Sequence, residues 1–103
     1  MTEYVKNRLK DRVFCLPLPK KELEDIVRHI LTLTTKVYGN VCIKIKEFDI
    51  DVVRQDPDIS RRRDNTLWVV FNDGRPKTIY RRGESQVFPE NHLKHYRIEE
   101  QLI

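Results

Sequence analysis

Apolar residues along this chain change period several times, and each change marks an element. Leu23, Ile26, Val27, Ile30, Leu31, Thr34, Val37 and Tyr38 recur at i, i+3, i+4 and i+7. That spacing gathers them on one side of a helix. The helix is expected from about Pro19 to Tyr38. Pro19 suits a first turn, where its missing N–H would have had no helical acceptor. Glu22, Glu24 and Asp25 place negative charge where the helix dipole favours it. Gly39-Asn40 closes the pattern, since both residues tolerate the left-handed conformation. Upstream, Tyr4, Val5, Leu9 and Val13 recur near helical spacing with a basic polar face. They suggest a short helix over Thr2 to Val13, within a segment (residues 1–18) expected to be loosely attached, as chain ends often are. Between the two helices, Phe14-Cys15-Leu16-Pro17-Leu18-Pro19 reads as an extended connector, because prolines at i and i+2 forbid a helix.

The period then falls to two. Val41, Ile43 and Ile45 alternate with Cys42, Lys44 and Lys46, as in a half-buried strand. The phase slips at Glu47-Phe48, which a bulge or a strand end would explain. Beyond it Phe48, Ile50 and Val52 alternate with Asp49, Asp51 and Val53, and Arg54 to Asn65 reads as a loop containing Pro57. Leu67 to Phe71 is a short apolar strand that meets Asn72-Asp73-Gly74, and Lys77 to Arg82 forms its partner. Asp-Gly between two such runs signals a hairpin, because a tight turn needs positive φ. A two-residue turn pairs Trp68 with Ile79, Val70 with Lys77, Leu67 with Tyr80 and Val69 with Thr78. Both faces then carry apolar groups, which places the hairpin centrally, or nearly so, in a sheet. Pro76 cannot donate to a ladder and belongs at the strand start or at a bulge. Val87-Phe88-Pro89 looks extended. Glu90 to Ile103 fits a final helix or a short strand plus tail, with Asn91 as a cap favouring the helix. The expected fold is a single α+β domain over residues 1–103, with one long helix on a three- or four-stranded, mainly antiparallel sheet.

Composition narrows the class. A chain of 103 residues supports one modest core. No run is long and apolar enough to span a bilayer, and the N-terminus lacks a signal peptide's apolar core. Cys15 and Cys42 belong to no CxxC pair, which suggests a reduced, cytoplasmic protein with no disulfide between them. The net charge of +4 is local: residues 54 to 83 hold eight Lys or Arg and four acids, and the remainder holds 12 of each. An excess of Arg points to an anionic partner, because the guanidinium fork matches phosphate oxygens. Arg61, Arg62, Arg63, Arg75, Lys77 and Arg82, with Tyr80 as a stacking ring, are the expected nucleic-acid contacts, RNA before DNA. Trp68 is either a stacking platform or packed under the long helix. The plain alternative is an arginine-decorated, solvated surface.

Chemistry is less sharply written. Metal-independent RNA cleavage needs proton-transfer groups and cations for the phosphorane. His92 and His95 can move protons, Arg81 can hold phosphate, and Tyr96 lies beside them in sequence. The competing reading makes these histidines ordinary surface residues flanked by Lys94 and Arg97. His29, on the polar face of the long helix with Asp25 and Lys36, reads as surface. His92 and His95 have helical spacing for two metal ligands, but only Glu99 is near to join them, so no metal and no cofactor are expected. Asp49 and Asp51 read as solvated. A glycine-rich phosphate loop, GxSxG and HExxH are all lacking.

The order of elements, a helix followed by an antiparallel meander with an Arg-rich last hairpin and late His, Tyr and Arg residues, resembles the small ribonuclease toxins of the RelE and barnase-like group. DNTLWVVFNDGRPKTIYRR is also similar to small phage and bacterial proteins of unassigned function. The toxin resemblance spans about residues 19 to 98 as pattern only. It implies an α+β fold, metal-independent RNA cleavage, and Arg81, Arg82, His92 and Tyr96 as the matching residue types. The competing class is a non-catalytic interaction protein, such as a phage-encoded host-binding factor. A third is an antitoxin or oligomeric accessory subunit with Phe88 and Leu102-Ile103 as apolar contacts.

Overall fold

The computed structural model describes residues 3–16, 18–49, 65–82 and 93–103. Two helices, α1 (Glu3–Phe14) and α2 (Lys20–Leu33), precede four strands. These are β1 (Val41–Glu47), β2 (Thr66–Asn72), β3 (Arg75–Arg82) and β4 (Arg97–Glu100). The strand order is β3-β2-β1-β4. β2 runs antiparallel to both β3 and β1, whereas β4 lies parallel to β1. The α+β class therefore holds, with two corrections: two helices rather than one long one, and a mixed sheet rather than a mainly antiparallel one. Among the described residues, no helix is long and apolar enough to cross a membrane.

α1 is tied to the domain by Leu9 and Val13, both buried in the main core. α2 starts where Pro19 predicts but stops at Leu33, not Tyr38. The cause lies in its threonines. Thr32, Thr34 and Thr35 turn their hydroxyls back onto the carbonyls of Arg28, Leu31 and Thr32. Such local bonds compete with helix propagation, and the chain tightens into i→i+3 bonds at Thr35 and Lys36. Gly39 still adopts the left-handed conformation, but six residues past the helix.

The Asp73-Gly74 turn forms as expected, with φ of 52° and 76°, positive at both central residues as a type I′ turn requires. The register beyond it differs from expectation. Asn72 faces Arg75 and Phe71 faces Pro76, but Val70 then faces Thr78, so Lys77 is an extra residue. The bulge sits beside Pro76, which lacks the N–H that a regular ladder would need. Every later pair moves by one: Trp68 opposes Tyr80 and Leu67 opposes Arg81. Within the sheet β2 is an inner strand and β3 lies at the edge, so the hairpin is nearly central.

The sheet's two faces differ. Val41, Ile43, Ile45, Leu67, Val69 and Phe71 point toward the helices and meet Leu23, Ile26, Val27, Ile30 and Leu33. Cys42 and Val70 point the other way and form a smaller cluster with Leu93, edged by Trp68, Tyr80 and Tyr96. Trp68 thus lies on the face away from the helices, not beneath one. The phase slip expected at Glu47-Phe48 coincides with the end of β1 at Glu47, and a register shift against β2 lies just before it, between Lys44 and Lys46. Arg97 to Glu100 takes the strand option rather than the helical one. Its neighbour Gln101 then bonds Lys44 O, and Ile103 bonds Ile45 O. Cys15 is exposed and Cys42 is buried. The expected extended segment at Val87-Phe88-Pro89, the loop from Arg54 and the alternation at Ile50 to Val53 lie outside the described residues.

Candidate nucleic-acid interface

Basic residues collect where α1 meets the β3 edge. α1 carries Lys6, Arg8, Lys10 and Arg12 against Glu3 and Asp11. Arg8 and Arg12 are four residues apart and so share a helical face. That face fronts the Lys77 bulge. The two arginines, with Leu9, Pro76, Lys77, Thr78 and Ile79, line a cleft of about 160 Å³. The bulge and the helix are coupled directly: Arg12 Nη1 donates to the Lys77 carbonyl. A bulged residue leaves the regular ladder, and here a guanidinium takes up its acceptor. Arg12 keeps further N–H donors for another ligand. Arg8, Arg12, Arg75 and Lys77 are all exposed. An open cleft with this lining can hold one or two phosphate groups by charge and N–H donation.

The remaining expected residues are dispersed. Arg81 lies on the helix-packed side, its guanidinium 4.7 Å from the centre of the Phe48 ring. Lys46 Nζ lies 5.7 Å from the same ring. Tyr80 is half-buried on the opposite face, across from Trp68. The Trp68 indole N–H donates to Thr66 Oγ1 at 3.0 Å, and Lys44 Nζ stands 5.9 Å from the Trp68 ring centre. Tyr96 packs with the Cys42–Val70–Leu93 cluster and accepts a hydrogen bond from Asn72 Nδ2 at 2.9 Å. His95 is exposed in the turn before β4.

Arg81 and Tyr96 are therefore not neighbours. Arg81 opposes Leu67 and Tyr96 bonds Asn72. Those two β2 positions lie five residues apart, about 17 Å at ~3.3 Å per strand residue. The two side chains also occupy opposite faces of the sheet. Among the described residues, the set expected for catalysis is not gathered into one site. Arg61, Arg62, Arg63, His92 and the Arg82 side chain lie outside the described residues.

His29 is more engaged than a solvated surface residue, because its Nε2 lies 2.6 Å from the Gln101 carbonyl and links α2 to the chain after β4. Among the described residues, no group of three or more His, Cys, Asp or Glu assembles. The cleft residues missed in the sequence were Arg8 and Arg12. Their signal was present as the basic polar face of the first helix, but nothing local showed that this face would meet Lys77.

No protein-family model matches the chain, and comparison with curated proteins and with solved structures finds no match.

Proposed function

We propose that this protein binds nucleic acid, with RNA the first ligand to test, through phosphate contacts in the α1–β3 cleft. One observation carries the reading: Arg8, Arg12 and Lys77 come from elements more than sixty residues apart in sequence and face a single open cleft. Binding of this kind is dominated by counterion release and weakens steeply with salt. Arg75, exposed beside the hairpin turn, extends the same positive edge. Tyr80 occupies the other face of β3, so a strand held in the cleft would reach it only by passing around the sheet edge.

The test is fluorescence anisotropy of a labelled single-stranded RNA in EDTA, titrated across a salt series. The Arg8→Ala/Lys77→Ala double variant is expected to bind more weakly. Its log–log salt slope is expected to be shallower by about 1.4, at ~0.7 for each phosphate that is no longer neutralised. Arg12 is left intact because it also braces the bulge. Absence of salt-sensitive binding by the unaltered protein, or an unchanged slope in the variant, would sink this reading. The same samples run on a denaturing gel report cleavage. Products that disappear on His95→Ala would bring the ribonuclease reading forward.

A further inference from the structure

The two edges of the sheet are built differently. At the β3 edge stand Pro76, the Lys77 bulge and the flanking α1, with Arg12 seated on the Lys77 carbonyl. Proline, a bulge, a lysine and a covering helix are the devices by which proteins prevent a strand edge from recruiting another chain. Among the described residues the β4 edge has no proline, bulge or covering helix, although it is only four residues long and carries Arg97, Glu99 and Glu100. The main-chain N–H groups of Arg97, Gln101 and Ile103 point inward to Asn40, Lys44 and Ile45. Main-chain groups of successive strand residues point to opposite sides, so those of Ile98, Glu100 and Leu102 point outward. Among the described residues they meet no partner strand. The apolar side chains here are also open, with Ile98 at 55% and Leu102 at 45% exposure.

We propose that β4 pairs with β4 of a second copy of this chain, antiparallel across a two-fold axis, so that two four-stranded sheets become one continuous sheet. A two-fold interface must be self-complementary, and this strand is. With Glu100 on the axis, Ile98 faces the partner's Leu102, and Leu102 faces the partner's Ile98. This is the register that pairs all three outward-directed residues at once, and it sets apolar against apolar at both ends. The two Glu100 side chains meet at the centre. Each is already bound to Lys44 of its own copy, Nζ to Oε1 at 3.3 Å, so the juxtaposed charges are partly neutralised within the fold. Glu100 shares its face with Lys44 through the β1–β4 register, which keeps that cation beside the axis.

Sedimentation equilibrium over a protein concentration series tests the proposal. The average mass is expected to rise from 12.4 kDa toward twice that value. Leu102→Pro removes an outward N–H while leaving the inward donors of Gln101 and Ile103 in place. It is expected to associate roughly tenfold or more weakly, since each dimer loses two hydrogen bonds. Ile98→Lys, at an exposed position, is expected to act in the same direction. Glu100→Gln removes the like-charge pair but keeps an acceptor for Lys44, and is expected to associate about two- to fivefold more tightly. Unchanged circular dichroism spectra verify that each variant is folded. A mass that stays at 12.4 kDa throughout, or association undiminished in Leu102→Pro and Ile98→Lys, would overturn the proposal.

Discussion

Gly74 sits where the chain admits no side chain. Its φ of +76° is left-handed, and a Cβ there would stand 2.9 Å from the Val37 carbonyl oxygen. That oxygen is backbone and cannot swing aside. Gly39 has a similar φ of +69°, but its nearest neighbour would be Arg97 Nη1 at 3.2 Å, the tip of a flexible side chain. Gly74→Ala is therefore expected to cost about 2–3 kcal/mol and Gly39→Ala about 1 kcal/mol, both by urea denaturation. The reverse order would refute the part assigned to the Val37 carbonyl. Lys44 offers a residue-scale test in pH. The hydrogen bond from Lys44 to Glu47 raises the lysine pKa above 10.5, Glu100 adds to this, and desolvation opposes it. A folded-state pKa raised above the unfolded value contributes stability that is complete below 10.5 and fades as pH climbs through the folded value. Lys44→Met is thus expected to lose about 0.5–1 kcal/mol at neutral pH, the discounted value of partly exposed pairs. The gap from the unaltered protein should close in strongly alkaline urea titrations. A gap independent of pH would mean that Lys44 acts through packing on Trp68 alone.

Among the elements, α1 is the one whose importance the sequence understates. Among its described side chains, Leu9 and Val13 lie in the core, 5% and 0% exposed. Burying each contributes about 1.5–3 kcal/mol, a large share of the ~5–15 kcal/mol that holds a small domain together. Deleting residues 1–14 is expected to abolish, or lower by many degrees, the cooperative thermal transition seen by circular dichroism. A transition left in place would show α1 to be dispensable. The strong local signals were legible: the apolar face of α2, the alternation in β1 and the Asp-Gly turn. Register was not, because one extra residue at Lys77 moves every cross-strand pair beyond it, and nothing before Pro76 counts it. The end of α2 was hidden because Val37 and Tyr38 continue its period while the threonine hydroxyls stop the backbone. β4 was weighed against a helix because its strand character depends on β1, far away in sequence. The candidate cleft depended on the meeting of α1 and β3, which no local pattern encodes, although its basic residues were visible singly.

For the whole molecule, the two edges of the sheet differ in charge and cover. The β3 side is basic, bulged and covered by a helix, which suits a polyanion and discourages strand addition. The β4 side is open along its backbone and sets Ile98 and Leu102 on either side of Glu100, which suits a strand. A dimer joined at β4 would carry two α1–β3 clefts at its outer ends, so the proposed RNA binding and the proposed self-association are expected to be lost independently in the separate variants. The parallel pairing of β4 also bears on the order of assembly. The hairpin closes across Asp73 and Gly74, whereas β4 reaches its place by pairing Arg97 with Val41. Chain-closure entropy grows with the length of the loop, and distant pairings form more slowly than local ones. β4 is thus expected to join the sheet after the β2–β3 hairpin has closed, so that its open edge forms late in assembly.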